Sequence, residues 1–100
     1  MAIQEINGEE FEDFIKKGKI VVKYTASWCS SCRVLAPIYK ELSNELKDIK
    51  FAELDVDKSP DIAQHYEVMG IPTLILFSSG KEVKRIVGVK SKEELRRELR

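Results

Sequence analysis

The segment Trp28-Cys29-Ser30-Ser31-Cys32 contains both cysteines of this 100-residue chain. Residues 20–24, shortly before it, are β-branched or aromatic except for one lysine, and predict a buried strand. After it, apolar residues recur every three to four positions and predict a helix to about residue 47, with a kink at Pro37: Val34, Leu35, Ile38, Leu42 and Leu46. The cysteine pair is therefore predicted at a strand-to-helix turn.

The flanking sequence alternates between helical and extended patterns. A helix is predicted over residues 8–17, and Gly18 separates it from the strand before the cysteines. Residues 51–56 predict another strand. Ser59-Pro60-Asp61 supplies an N-cap followed by proline at the first helical position, which predicts a short helix to about residue 66.

The last third of the chain predicts a hairpin and a final helix. Residues 73–77 and 82–87 are strand-like and are joined through Ser78-Ser79-Gly80, a connection short enough for antiparallel pairing. Ser91, with Glu94 three positions later, predicts a capping box at the start of the last helix. The whole order predicts an α/β fold, a mixed sheet with helices on both faces.

Length and composition narrow the possible functions. One hundred residues, 43% of them hydrophobic and 34% charged, predict a single domain over residues 1–100. Seventeen basic residues balance seventeen acidic ones, so neither nucleic acid nor an anionic membrane is expected as a partner. The N-terminus lacks the basic start and apolar run of a signal peptide, and no apolar stretch approaches the roughly 20 residues of a membrane span. We therefore expect a cytoplasmic protein.

The position of the cysteines predicts redox chemistry. Unpaired backbone N–H groups and a partial positive charge at a helix N-terminus favour thiolate over thiol. Cys29 is the better-placed nucleophile, and Cys32 lies one turn further on, where it can attack a mixed disulfide formed by Cys29. Trp28 offers an apolar wall beside the reactive sulfur. Two such steps exchange a disulfide between proteins.

A C-x-x-C pair is also half of a zinc site, and such a site needs four ligands. The chain adds His65 but no second His or Cys at ligand spacing, so zinc or an iron–sulfur cluster would need ligands from two chains. Two buried structural thiols are the remaining alternative, which the strand-to-helix turn disfavours. We expect no metal and no other cofactor, because the cysteine pair itself carries the electrons.

Other motifs extend these observations over the whole chain: Ala36-Pro37, Asp55-Val56-Asp57, Met69-Gly70-Ile71-Pro72-Thr73-Leu74 and Gly88. With them the chain resembles the thioredoxin family. The resemblance implies a central mixed sheet flanked by four helices, with Cys29 as attacking thiolate and Cys32 as resolving thiol. It also implies a cis Ile71–Pro72 bond packed against the cysteines. The resemblance further implies that substrate backbone pairs at Ile71, beside Pro72, and that Trp28 and the loop at Gly88 complete a shallow apolar groove.

The chain departs from the family pattern at two places. Ser30-Ser31 replaces the usual Gly-Pro dipeptide, which frees the backbone and adds two hydroxyls near the sulfurs. The family's buried Asp and its Lys on the next strand are matched here by Lys23 and Glu53, so the two charges are exchanged. Lys23 would favour a nearby thiolate and Glu53 could accept the proton of the resolving cysteine. The alternative for both is an ordinary solvated side chain at a strand end.

The function implied by this resemblance is reduction of disulfides in cytoplasmic proteins. Its partners would be oxidised protein substrates and a thioredoxin reductase, and we expect a monomer. A glutaredoxin-like or isomerase-like redox protein is one alternative, for which the Ser-Ser dipeptide leaves room. A thioredoxin-fold binding module with incidental thiols is another, against which the joint presence of the cysteines, Trp28 and Pro72 argues.

Overall fold

Five strands form one mixed sheet in the computed structural model, which describes residues 3–100. The elements are β1 (Ile3–Glu5), α1 (Gly8–Ile15), β2 (Lys19–Thr25), α2 (Ser30–Glu45), β3 (Lys50–Asp55), α3 (Pro60–His65), β4 (Thr73–Ser78), β5 (Lys81–Val87) and α4 (Lys92–Leu99). The strand order is β1-β3-β2-β4-β5. β3 pairs in parallel with β1 and β2, whereas β4 pairs antiparallel with β2 and β5. The predicted mixed sheet is confirmed.

Helices cover both faces of this sheet. Val21 packs in a core cluster with residues of α2 and α4, whereas Ile20 and Val22 pack in a second cluster with residues of α1 and α3. Because successive side chains of β2 enter different cores, the strand is a nearly continuous apolar run rather than an alternating one. The central strand that leads to the cysteines is therefore held from both sides.

The buried face of α2 differs from the predicted stripe. Leu35, Tyr39, Leu42 and Leu46 line it at spacings of three to four, while Val34 is exposed. Val34 lies about 100° around the helix from Leu35, which turns it away from the sheet. The helix ends at Glu45, slightly before the expected residue 47, and continues through Pro37, whose kink stays a prediction.

The β4–β5 hairpin is confirmed with a tighter loop than expected. β4 extends through Ser78 and β5 starts at Lys81, so the loop is Ser79-Gly80. Both loop residues have positive φ, 51° and 87°. Positive φ at both positions is typical of the two-residue turn that matches the twist of paired strands.

Ser59 and Ser91 are both at the predicted N-cap positions, but only Ser91 makes a side-chain capping bond. Ser59 is at the N-cap of α3, but its hydroxyl makes no bond to that helix and instead accepts from the backbone N–H of Gly8 at 3.0 Å. It thereby links the starts of α1 and α3. At α4 the hydroxyl of Ser91 accepts from the Glu94 N–H at 3.1 Å, which is one of the two bonds of the predicted capping box.

The sequence pattern did not reveal β1 or the cap of α1. β1 spans three residues and is only partly buried, so no alternation could be recognised. Asn7 caps α1 by accepting from the N–H groups of Glu9 and Glu10, and Glu10 completes a capping box. The helix ends at Ile15 rather than at residue 17.

Candidate functional site

Cys29 and Cys32 lie at the N-terminus of α2 and are joined by a disulfide, with 5.3 Å between their Cα atoms. Cys29 is the N-cap residue, and its Sγ accepts a hydrogen bond from the Cys32 backbone N–H at 3.2 Å. Both cysteines are buried in the oxidised form, and Cys29 is 5% exposed. The backbone N–H of Cys32, at the positive end of the helix, is therefore directed at the sulfur of Cys29.

The connection from β2 to α2 is fixed by backbone bonds. The Cys29 N–H donates to the Ala26 carbonyl at 3.2 Å, and the Arg33 N–H donates to the Cys29 carbonyl at 3.3 Å. The Arg33 guanidinium also reaches back and donates to the carbonyl of Ser27 at 2.8 Å. Arg33 thus anchors the loop that presents the cysteines, a contact that the sequence pattern did not predict.

A second loop faces the cysteines across the site. The Ile71–Pro72 bond is cis, as the resemblance implied, and the Ile71 carbonyl oxygen is 3.9 Å from Cys29 Sγ. The Thr73 hydroxyl donates to the Gly70 carbonyl at 2.5 Å, and the Gly88 N–H donates to the Pro72 carbonyl at 2.8 Å. Residues 70, 72, 73 and 88 therefore form one hydrogen-bonded unit beside the disulfide.

Trp28 stands out from the surface next to Cys29 and is 65% exposed. Its indole Nε1–H donates to Asp57 Oδ2 at 2.7 Å. Asp57 follows β3, and its own N–H donates to the carboxylate of Asp55 at 2.8 Å. Asp57 was not among the predicted site residues, although it belongs to one of the motifs, because its contact with Trp28 spans 29 positions of sequence.

Lys23 and Glu53 are directly opposite each other on the parallel strands β2 and β3. Lys23 Nζ is 3.5 Å from Glu53 Oε1. Lys23 is 4% exposed, whereas the side chain of Glu53 is 34% exposed. Lys23 Nζ also lies 5.0 Å from the centre of the Tyr39 ring, on the sheet face covered by α2. The alternative of an ordinary solvated side chain is therefore wrong for Lys23, whereas Glu53 remains partly exposed to solvent.

One exposed residue near the site was also missed. Met69, two positions before Ile71, is 94% exposed. With Trp28 and Val89, it adds apolar surface to the segments around the disulfide. Single exposed apolar residues are common, so the sequence carried no signal for it beyond its place in the motif.

Within residues 3–100, no group of three or more His, Cys, Asp or Glu residues is arranged to hold a metal ion. No helix among the same residues has the length and apolar character needed to cross a membrane.

Comparisons with known proteins agree with this geometry. The family model described as Thioredoxin matches residues 2–100. The thioredoxin of Chlamydia trachomatis serovar D is 42% identical over 93 residues, which cover 93% of this chain and 91% of that protein. A bifunctional thioredoxin reductase/thioredoxin of Mycobacterium leprae is 39% identical over 101 residues, which cover 99% of this chain and 22% of that longer protein.

A solved structure also matches this chain over most of its length. A mutant thioredoxin from Halobacterium salinarum NRC-1 matches with a TM-score of 0.89 and 30% identity, covering 98% of this chain and 88% of that one. Its match extends the agreement from the cysteine motif to the arrangement of the sheet and helices. The chain therefore belongs to the thioredoxin family and is a protein thiol–disulfide oxidoreductase.

Proposed function

We propose that the chain reduces disulfides in cytoplasmic proteins, with Cys29 as the attacking thiolate and Cys32 as the resolving thiol. The observation that carries this assignment is the 3.2 Å hydrogen bond from the Cys32 backbone N–H to Cys29 Sγ. An N–H donor and the positive end of α2 both stabilise negative charge on that sulfur. Cys32 is in the helix behind it, with its Sγ within bonding reach of Cys29.

The reaction proceeds in two exchanges. The Cys29 thiolate attacks one sulfur of the substrate disulfide, the substrate S–S bond breaks, and the departing substrate sulfur takes up a proton. Cys32 then loses its proton and attacks Cys29 Sγ, which breaks the mixed disulfide and releases the second substrate thiol. Two electrons pass to the substrate, and the chain is left with the Cys29–Cys32 disulfide.

We assign substrate binding to the surface around Cys29. The Ile71 backbone, held beside the cysteine by Pro72, can pair with an extended substrate segment. Trp28 and the loop at Gly88 supply apolar area on either side. Asp57 acts on this surface indirectly, because it fixes the orientation of the Trp28 indole.

We assign Lys23 and Glu53 to the resolving step. Lys23 is buried under α2, and its ammonium favours thiolate over thiol at Cys32 in the first turn of that helix. Glu53 contacts the ammonium at 3.5 Å and is partly exposed, so it can take up the proton and pass it to water. The pair thus assists proton transfer at the resolving cysteine, as a buried aspartate does in the family. Here the lysine is on β2 and the carboxylate is on β3, which exchanges the two charges.

The role of this ion pair can be tested against an exposed pair of the same type. Lys23→Met and Glu53→Gln should each slow disulfide reduction several-fold between about pH 6 and 9, because the resolving cysteine loses its proton acceptor or its stabilising charge. Lys58 and Glu5 form a pair at the same 3.5 Å distance on the surface. Lys58→Met and Glu5→Gln therefore serve as controls and should leave the rate unchanged. Wild-type rates in both buried variants would refute the assignment.

We further propose that a thioredoxin reductase returns electrons to the Cys29–Cys32 disulfide, so that the chain acts in electron transport. The support is the Mycobacterium leprae protein, whose name joins a reductase and a thioredoxin in one chain. For its own part of this cycle, the chain uses only the cysteine pair as electron carrier, and the reductase supplies the two electrons. A reducing compartment such as the cytoplasm suits an enzyme that consumes disulfides.

The direct test is reduction of insulin disulfides by dithiothreitol. The wild-type chain should accelerate the reaction strongly, and both Cys29→Ser and Cys32→Ser should abolish turnover. Folding of each variant is checked by circular dichroism. A folded wild type that gives no acceleration would refute the proposed reductase activity and favour a binding module.

A further inference from the structure

The buried ammonium of Lys23 has an aromatic neighbour as well as a carboxylate. Its Nζ lies 5.0 Å from the centroid of the Tyr39 ring. Tyr39 is on α2, two turns after Cys32, and is fully buried. An ammonium is attracted to the negative face of an aromatic ring, and the attraction is greatest where water is excluded. The Tyr39 ring therefore helps to fix the position of the Lys23 ammonium.

The Tyr39 ring is itself fixed in place by the two strands that carry the ion pair. Its hydroxyl donates to the Ala52 carbonyl on β3 at 2.6 Å and lies 3.0 Å from the Val21 carbonyl on β2. The Phe51 ring packs against it, with 5.1 Å between ring centres. Burial raises the pKa of Tyr39 well above its usual value, so the hydroxyl remains a neutral donor. Tyr39 thus connects α2 to both strands.

The ammonium would otherwise have a route to water. Glu53 is one-third exposed, and its carboxylate is the one charged partner recorded for Lys23 among the described residues. A lysine side chain is long and its ammonium is strongly hydrated, so a conformation extended past Glu53 toward solvent competes with the buried one. The contact with Tyr39 stabilises the buried conformation against the inner face of α2.

We propose that Tyr39 is a positioning residue for the resolving step, because its ring holds the Lys23 ammonium against the helix whose first turn carries Cys32. This inference rests on the role proposed above for Lys23. Tyr39 does not touch the reacting sulfurs. It acts through Lys23, and its ring rather than its hydroxyl is the effective part.

The resolving step can be measured alone with an aromatic disulfide, 5,5′-dithiobis(2-nitrobenzoate). In the first phase Cys29 forms a mixed disulfide with one half of the reagent and releases the other half as a coloured thiolate. In the second phase Cys32 attacks Cys29, the internal disulfide forms, and the second coloured thiolate leaves. The two electrons of the dithiol reduce the reagent, and stopped-flow absorbance gives both rates.

Four substitutions distinguish the effect of the Tyr39 ring on the resolving step from a general loss of core packing. Tyr39→Leu and Tyr39→Met, whose side chain is similar in volume to leucine but unbranched and more flexible, both remove the ring. Each should slow the second phase about 5- to 30-fold, the range implied by a cation–π contact. Tyr39→Phe keeps the ring and should restore the wild-type second phase. Leu99→Ala removes apolar volume from the same core cluster on α4 and should leave the second phase unchanged while it lowers stability. The first phase should be unaffected in all four.

A double-mutant cycle decides between positioning and structural damage. If Tyr39 acts through Lys23, Tyr39→Leu should add nothing to the second-phase defect of Lys23→Met. An equal slowing by Tyr39→Leu in both backgrounds would overturn the inference, as would a wild-type second phase in the folded Leu and Met variants while Lys23→Met is slow. A wild-type second phase in Lys23→Met would instead refute the proposed role of the ion pair, and the inference with it.

Discussion

Replacing Asp57 by alanine removes the acceptor that holds the Trp28 indole beside Cys29. The Trp28 Nε1–H donates to Asp57 Oδ2 at 2.7 Å, and 65% of the tryptophan is exposed. Without this bond the indole can rotate, and an approaching substrate must order it during binding. We therefore expect Asp57→Ala to weaken substrate binding and to leave the sulfur chemistry unchanged.

The size of the effect follows from the kind of bond and its exposure. A hydrogen bond to a charged acceptor contributes about 1.5 to 3 kcal/mol. Because both partners are exposed to solvent, we take about 1 kcal/mol, which corresponds to roughly a five-fold change in an equilibrium constant. The KM for insulin should rise about five-fold in Asp57→Ala, with kcat nearly constant. Asp57→Asn keeps an acceptor but loses the charge, so its KM should rise by only about two-fold.

The fluorescence of Trp28 reports directly on the mobility of its indole. Trp28 is the one tryptophan of the chain, so intrinsic fluorescence reports on this indole alone. Quenching by acrylamide should increase in Asp57→Ala together with KM. Asp48→Ala removes the same charge at another exposed position and is the matched control. An Asp57→Ala protein with wild-type KM and wild-type quenching would show that the bond does not orient the indole.

Three further predictions concern redox potential, acid stability and the contact between α1 and α3. The double variant S30G/S31P should have a more negative reduction potential than the parent, because proline restricts the backbone and the two hydroxyls are lost. Equilibration with a glutathione redox buffer measures this potential. A variant that is no more reducing than the parent would contradict the prediction. Hydrogen bonds from Arg96, and secondarily from Lys92, lower the pKa of Glu45 to about 2 in the folded chain. Because the pKa is 4.5 when the chain is unfolded, the ionised carboxylate stabilises the fold above about pH 4.5, and this stabilisation is lost as the pH falls toward 2. In urea unfolding, Glu45→Gln should lower the midpoint near neutral pH and match the wild type near pH 2; a deficit that is constant with pH would contradict this. Ser59→Ala leaves the Gly8 N–H without its acceptor and should cost about 1 kcal/mol, and an unchanged unfolding midpoint would show that water replaces the hydroxyl.

The sequence was sufficient to predict the site residues that lie within short segments. Cys29 and Cys32 are three positions apart at a predicted strand-to-helix turn, and the motif containing Ile71-Pro72 led to the loop opposite them. The exchanged charges of Lys23 and Glu53 were predicted by resemblance, and the parallel register of β2 and β3 places them opposite each other. In these cases local pattern or family alignment already contained the spatial relation.

Prediction failed where a contact joins distant segments through side-chain geometry. The bond from Trp28 to Asp57 depends on where the loop after β3 lies. The place of Tyr39 beside Lys23 depends on how far α2 is rotated about its axis, and the same rotation exposes Val34. Ser59 had the correct residue type for a cap, but a backbone N–H from another helix was the better partner. Helix rotation and loop placement are set by packing of the whole core, which no single segment encodes.

The hydrogen bond that reaches Cys29 Sγ comes from the main chain of residue 32, not from its side chain. Every amino acid except proline carries this donor, so a substitution at position 32 can remove the resolving thiol without removing the group that activates its neighbour. The two half-reactions are thus separable by mutation. A Cys32→Ser chain should therefore form mixed disulfides between Cys29 and substrate proteins at a nearly normal rate and release them only slowly. This substitution turns a turnover enzyme into a covalent affinity reagent for identifying its physiological targets.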